Sequence, residues 1–171
     1  MQNEQLWAPW RLNYINNAAT TPDLSKLPWL PGAERDCFLC RAAVDPDRRA
    51  TLTVVQHELA VVVLNRYPYN NGHLLISPRR HVGELQHLTA DEQQELHRWM
   101  VQMTGQLQQQ LQAQGFNIGL NLGRVAGAGV PGHLHWHVVP RWNGDTNFMP
   151  ATAGIRVIPQ ALDSLWELLA K

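Results

Sequence analysis

Residues 132–142 read Gly132-His133-Leu134-His135-Trp136-His137-Val138-Val139-Pro140-Arg141-Trp142. Side chains alternate along an extended chain, so His133, His135 and His137 share one face while Leu134, Trp136 and Val138 share the other. The pattern predicts a strand over 133–139 with a core on one side and a row of imidazoles on the other. With 8 histidines in 171 residues, chance places a His-x-His-x-His somewhere in about two chains in a hundred. A coincidental polar face is therefore a poor account. One metal ion cannot take all three rings: at ~3.3 Å per residue the outer Cα atoms stand about 13 Å apart, whereas zinc ligands sit ~2 Å from the ion. Neighbouring pairs can cooperate, and the row divides into different roles.

Immediately ahead lies Gly123-Arg124-Val125-Ala126-Gly127-Ala128-Gly129-Val130-Pro131-Gly132. A chain this rich in small residues can turn its N–H groups inward and approach an anion closely, as phosphate-binding nests do. Neutral imidazoles beside a phosphate cradle set a nucleophile beside an electrophile. Such phosphoryl chemistry needs positioning and charge stabilisation, for which the loop amides, the outer histidines, Arg124 and Arg141 are available.

Further out, residues 51–55 and 59–64 are short β-branched runs separated by Gln56-His57-Glu58, which predicts a hairpin, and 73–77 predicts a strand that stops at Pro78. A helix starts at Thr89, with Glu92 three residues on to close a capping box. Leu96, Trp99, Met100, Met103, Leu107 and Leu111 mark its core stripe, and Gly115 is expected to end it. Residues 116–122 predict another strand, and Leu162, Leu165, Trp166 and Leu169 line one face of a C-terminal helix. The sum is an α+β domain around a mainly antiparallel sheet with one long helix and a C-terminal helix. Residues 1–35, rich in Trp and Pro, are expected to form an irregular arm, and 36–171 a single domain.

Charge and length exclude much. Lys plus Arg and Asp plus Glu are 14 each, so no global field holds the chain to nucleic acid or an anionic membrane. The longest apolar run, 59–64, is far short of the ~20 residues that span a bilayer, and the polar start is unlike a signal peptide; a cytoplasmic protein is expected. The two cysteines, Cys37 and Cys40, are spaced as in a zinc knuckle or a redox pair. A closed zinc site needs two more ligands, and spacing alone does not select among His57, His73, His81, His87 and His133.

The stretch His133-Leu134-His135-Trp136-His137-Val138-Val139 resembles the motif of the histidine triad (HIT) family of nucleotide hydrolases and transferases. Asn65, Pro68, Gly72, His73, Pro78 and His81 match its strand-turn-strand segment, and 121–132 its phosphate loop. The arm Leu6-Trp7-Ala8-Pro9-Trp10-Arg11 and the tail 139–149 look most like the bacterial branch that processes diadenosine tetraphosphate.

The resemblance implies a HIT-like fold and cleavage of a dinucleoside polyphosphate, diadenosine tetraphosphate preferred, through a nucleotidyl-histidine on His135. His133 and His137 would flank that residue, with His137 near the phosphate oxygens. Asn65 would contact ribose, and Asn121, Gly127, Gly129 and Arg124 would serve the phosphates. It further implies a structural Zn²⁺ on Cys37, Cys40, His81 and His133, no metal in catalysis, and a homodimer. The acceptor would be phosphate or water. Related enzymes carry a Gln, Ser or Thr just before the triad; here the chain has Gly129-Val130-Pro131-Gly132, which leaves that contact to backbone amides. Other readings are a nucleoside phosphoramidate hydrolase or a non-catalytic nucleotide-binding regulatory module.

Overall fold

Valine and leucine dominate two five-residue runs in which every residue is buried, β2 (Ala60–Leu64) and β3 (Leu74–Pro78). Strands that are apolar on both faces need cover on both faces. They lie in the middle of a five-stranded sheet with β1 (Thr53–Gln56), β4 (Gly115–Leu120) and β5 (Trp136–Arg141), in the order β1-β2-β3-β5-β4. Every pairing is antiparallel. The computed structural model describes residues 24–146 and 157–170. Trp7, Trp10 and the rest of the arm's first part, and the tail residues 147–149, lie outside them.

One sheet face meets the long helix α2 (Ala90–Leu111). Val62, Leu64, Leu74, Ile76 and Val138 from the sheet, with Leu134 just ahead of β5, pack with Leu96, Trp99, Met103 and Leu107 from the helix. Burying each such side chain is worth about 1.5–3 kcal/mol against leaving it in water. The C-terminal helix α3 (Leu162–Leu169) adds Leu165 and Leu169 to this core, and its Trp166 ring nitrogen donates to the Thr53 carbonyl. The other face carries Val61, Val63 and Leu75, covered by the short helix α1 (Phe38–Ala42) through Leu39, Cys40 and Ala42. Trp29 and Ala33 of the preceding segment pack against the same cluster.

The start of α2 is the expected capping box: the Thr89 hydroxyl accepts from the Glu92 N–H, and the Glu92 carboxylate accepts from the Thr89 N–H. Glu92 also takes a fork of two bonds from Arg80, at 2.6 and 2.9 Å, which ties the helix to the segment after β3. The helix ends earlier than expected. Gln112, not Gly115, adopts the left-handed conformation that closes it (φ 53°), and Gly115 opens β4. Gly72 is held to glycine by sterics, since its φ is +71° and a Cβ there would stand 2.7 Å from Leu111 and 3.2 Å from Leu107. No described helix is long and apolar enough to cross a membrane.

Candidate active site and metal cluster

Strand β5 opens at Trp136, three residues later than the expected start at His133. The ladder with β3 runs from Leu74↔Val138 to Ile76↔Trp136 and stops there. Pro78 has no N–H to continue it. Leu134 instead donates to the Val82 carbonyl at 2.8 Å and accepts from the Ser77 hydroxyl at 2.7 Å. The alternation of faces survives all the same: Leu134 and Val138 enter the α2 core, and the three histidines stand on the face that carries α1.

The rings then separate by partner. His135 Nδ1 lies 2.8 Å from the His133 carbonyl. A carbonyl only accepts, so the proton sits on Nδ1 and the lone pair on Nε2. His137 Nδ1 lies 2.9 Å from Nε2 of His73, a fully buried residue just ahead of β3. The Tyr69 N–H donates to His73 Nδ1 at 3.1 Å, and the Asn65 amide nitrogen stands 3.2 Å from the same atom. Burial, then the neighbouring His137 and His135, holds His73 down at about 3. Burial and His135 also lower His137. Both rings are therefore neutral at pH 7. The proton of His73 is on Nε2 and is given to His137 Nδ1, which leaves the proton of His137 on Nε2. That N–H is buried and has no protein acceptor among the described residues. Side by side, with ring centroids 5.2 Å apart, His135 offers a lone pair and His137 a proton.

These neutral histidines make stability depend on acid in a defined direction. The folded value of His73 (about 3) lies below the usual 6.5, so as pH falls the unfolded chain takes up protons first. The contribution is complete above pH ~6.5 and is lost progressively toward pH 3. His137 adds in the same sense, chiefly through burial. Thermal unfolding scanned at successive pH values should show Tm falling between pH 7 and 5. A Tm that stays flat across that interval contradicts the neutral assignment.

The second constellation joins three segments distant in sequence. Ligand atoms of Cys37, Cys40, His81 and His133 all lie within 4.8 Å of one another. Cys37 Sγ is 3.3 Å from His133 Nδ1, and Cys40 Sγ is 3.2 Å from His81 Nδ1 and 3.5 Å from His133 Nδ1. Bond lengths of ~2.3 Å for Zn–S and ~2.0–2.1 Å for Zn–N at tetrahedral angles require S···N separations of ~3.6 Å. Two thiols and two imidazoles at this spacing fit a closed tetrahedral site. The outer shell fits as well: His133 Nε2 faces the Pro78 carbonyl at 2.9 Å, and His81 Nε2 faces Glu34 at 3.5 Å. Partners of that kind leave each Nδ1 as the ligand atom. Without a metal, burial pushes the Cys40 thiol up to about 12, so a metal would have to displace its proton. Both ring nitrogens of His133 are thus engaged, and its carbonyl is the group that orients His135. Of the other histidines open at the sequence level, His57 pairs with Glu95, His73 belongs to the His137 relay and His87 is exposed.

The loop 123–132 carries a short turn at Arg124–Ala126, and Gly127 has φ +90°. The N–H groups of Gly129 and Gly132 find no acceptor among the described residues. Asn121 stands against this loop, with its amide nitrogen 3.8 Å from where a Gly127 Cβ would lie. Arg124 is exposed and unpaired among the described residues. Arg141, by contrast, is not available to a phosphate: it grips Asp145 at 2.6 and 2.9 Å and the Asn117 side chain at 2.7 Å. Asn65 is half spoken for, since its oxygen accepts from the Tyr67 N–H and its nitrogen meets His73.

Geometry of this kind defines a class. The family described as HIT domain matches residues 48–144, and the chain belongs to it. An AP-4-A phosphorylase from Mycobacterium tuberculosis is 40% identical over 171 residues, spanning 99% of this chain and 84% of that protein. An asymmetrical bis(5'-nucleosyl)-tetraphosphatase from Schizosaccharomyces pombe is 33% identical over 88 residues, 52% of this chain and 48% of its own. Among solved structures, a Zn-bound histidine triad family protein from Mycobacterium smegmatis superposes with a TM-score of 0.57 at 27% identity, covering 70% of this chain and 81% of that one.

Proposed function

We propose that this HIT-family enzyme cleaves dinucleoside polyphosphates, with diadenosine tetraphosphate the preferred substrate, by way of a nucleotidyl group carried on His135. The observation that carries the reading is the complementary pair of rings: His135 with Nδ1 fixed on the His133 carbonyl and Nε2 open, beside a His137 whose buried Nε2–H lacks an acceptor among the described residues. His135 Nε2 attacks the α-phosphorus, the bond to the bridging oxygen breaks, and His137 Nε2–H hydrogen-bonds the departing oxygen. An anionic phosphate oxygen, or water that gives up one proton to solvent, then attacks the phosphorus, the P–N bond breaks, and His135 Nε2 recovers its lone pair. Free amides at Gly129 and Gly132, Gly127, the Asn121 side chain and the unpaired Arg124 would hold the phosphates, and Asn65 the ribose.

Kinship with an AP-4-A phosphorylase over 99% of the chain supports the substrate class. The fit of Cys37, Cys40, His81 and His133 to tetrahedral geometry supports a structural Zn²⁺. A cytoplasmic location suits thiols that must stay reduced to ligate metal. A homodimer is supported by one edge of the sheet: among the described residues β4 is a terminal strand, with Ile118 48% exposed, and Val101 on α2 is 61% exposed. Bare edges with apolar neighbours are stable when another strand covers them.

The test is product analysis after incubating the purified protein with diadenosine tetraphosphate and isotopically labelled inorganic phosphate. Labelled ADP with ATP identifies phosphate as acceptor, and unlabelled AMP with ATP identifies water. No turnover, with nucleotide still bound, would overturn the enzymatic reading in favour of a binding module.

A further inference from the structure

Tyr69 lies in the turn between β2 and β3, where residue type alone assigns it nothing beyond a half-exposed aromatic. Its ring centroid stands 4.8 Å from that of His73 and 5.7 Å from that of His137, nearly parallel to the latter at 13°. Its own N–H fixes the His73 tautomer. One aromatic plane thus lies against both partners of the 2.9 Å His73–His137 hydrogen bond. We propose that Tyr69 is a positioning residue for nucleotidyl transfer: its ring keeps water from the His73–His137 bond and so holds His137 as an Nε2–H donor toward the leaving oxygen. This rests on the reading of His137 given above.

The physical reason is solvation. Water stabilises imidazolium over imidazole, so a wetted pair protonates more readily. A protonated His73 has no lone pair on Nδ1 to accept the Tyr69 N–H, and the directed chain of donors from Tyr69 through His73 to His137 is lost. The charges bearing on the pair among the described residues are those of the two rings themselves and of His135. Tyr69 faces it from the turn, and no carboxylate or guanidinium among the described residues competes for the same proton. A phenyl ring would exclude water as well as a phenol does, whereas a methyl group would not.

The experiment is an NMR titration of ¹⁵N-labelled imidazoles in the wild type, Tyr69→Ala and Tyr69→Phe, read without substrate, followed by kinetics. In Tyr69→Ala the His137 midpoint should rise by about one pH unit or more. Its kcat should fall roughly tenfold with KM little changed. The His73 Nε2–H should exchange with water faster than in the wild type. Tyr69→Phe should restore all three. An unmoved His137 midpoint in Tyr69→Ala, or a Phe variant that behaves like Ala, overturns the proposal. The wild type tests it even if Tyr69→Ala does not fold: a His73 Nε2–H that exchanges slowly with water supports the shield, and fast exchange overturns it. Absence of turnover in the wild type would bear on the proposed activity alone, because the titration is read without it.

Discussion

His135→Asn should lower kcat for dinucleotide cleavage by roughly 10⁴-fold or more, while the dissociation constant for a non-hydrolysable dinucleotide stays within a few-fold. Asparagine isolates the chemistry. Its amide N–H can still reach the His133 carbonyl that now holds His135 Nδ1 at 2.8 Å, so a buried acceptor is not orphaned and the local fold has no reason to change. What disappears is the Nε2 lone pair. No neighbouring ring can substitute for it: His137 carries its proton on Nε2, its Nδ1 is taken by His73, and both nitrogens of His133 are engaged elsewhere. The variant should also fail to retain radiolabelled nucleotide after acid-free denaturation, where the wild type quenched early retains it. A variant with more than a few per cent of wild-type kcat would remove His135 from the nucleophile's role, whatever its binding.

The face carrying the three histidines was legible because alternation along an extended chain depends only on backbone geometry, and it held even beyond the Ile76–Trp136 pair where the ladder ends. The Thr89 and Glu92 box was legible for a similar reason, since its partners are three residues apart. What escaped is what depends on distant partners. Nothing near His73 announces that its ring meets His137, 64 residues on, or that the turn residue Tyr69 lies over both. Arg141 looked as free as Arg124 until Asp145 and Asn117 were placed around it. The helix end was misplaced because glycine is only the commonest residue in a left-handed C-cap. Here Gln112 bears that strain, and Gly115 sits in a strand. For the cysteines, spacing left five histidines open, and the fold brought two of them to the pair.

Removing the metal, by chelation or by Cys40→Ser, should lower Tm by on the order of 10 °C and reduce kcat, with one zinc per chain lost in parallel. The four residues of the cluster come from the start of α1, the segment after β3 and the approach to β5, so a bound ion would cross-link stretches up to 96 residues apart. Closing such long loops restricts the unfolded chain, and ligand binding to the folded form adds directly to stability. Structural zinc binds with apparent energies of about 10–16 kcal/mol when folding depends on it wholly. Here the sheet and α2 form a core of their own, and several kcal/mol is the fitting expectation, at roughly 2–4 °C each for a domain of this size. The loss of kcat has a separate route. His133 would be both a ligand through Nδ1 and the residue whose carbonyl holds the His135 tautomer, so an unanchored His133 would let His135, the proposed nucleophile, rotate. Two controls separate this from a redox pair. Chelator should not lower the Tm of Cys40→Ser further, and a thiol oxidant should leave the metal-loaded wild type unchanged. Purified protein without zinc, and a wild-type Tm indifferent to chelator, would leave Cys37 and Cys40 as plain buried thiols.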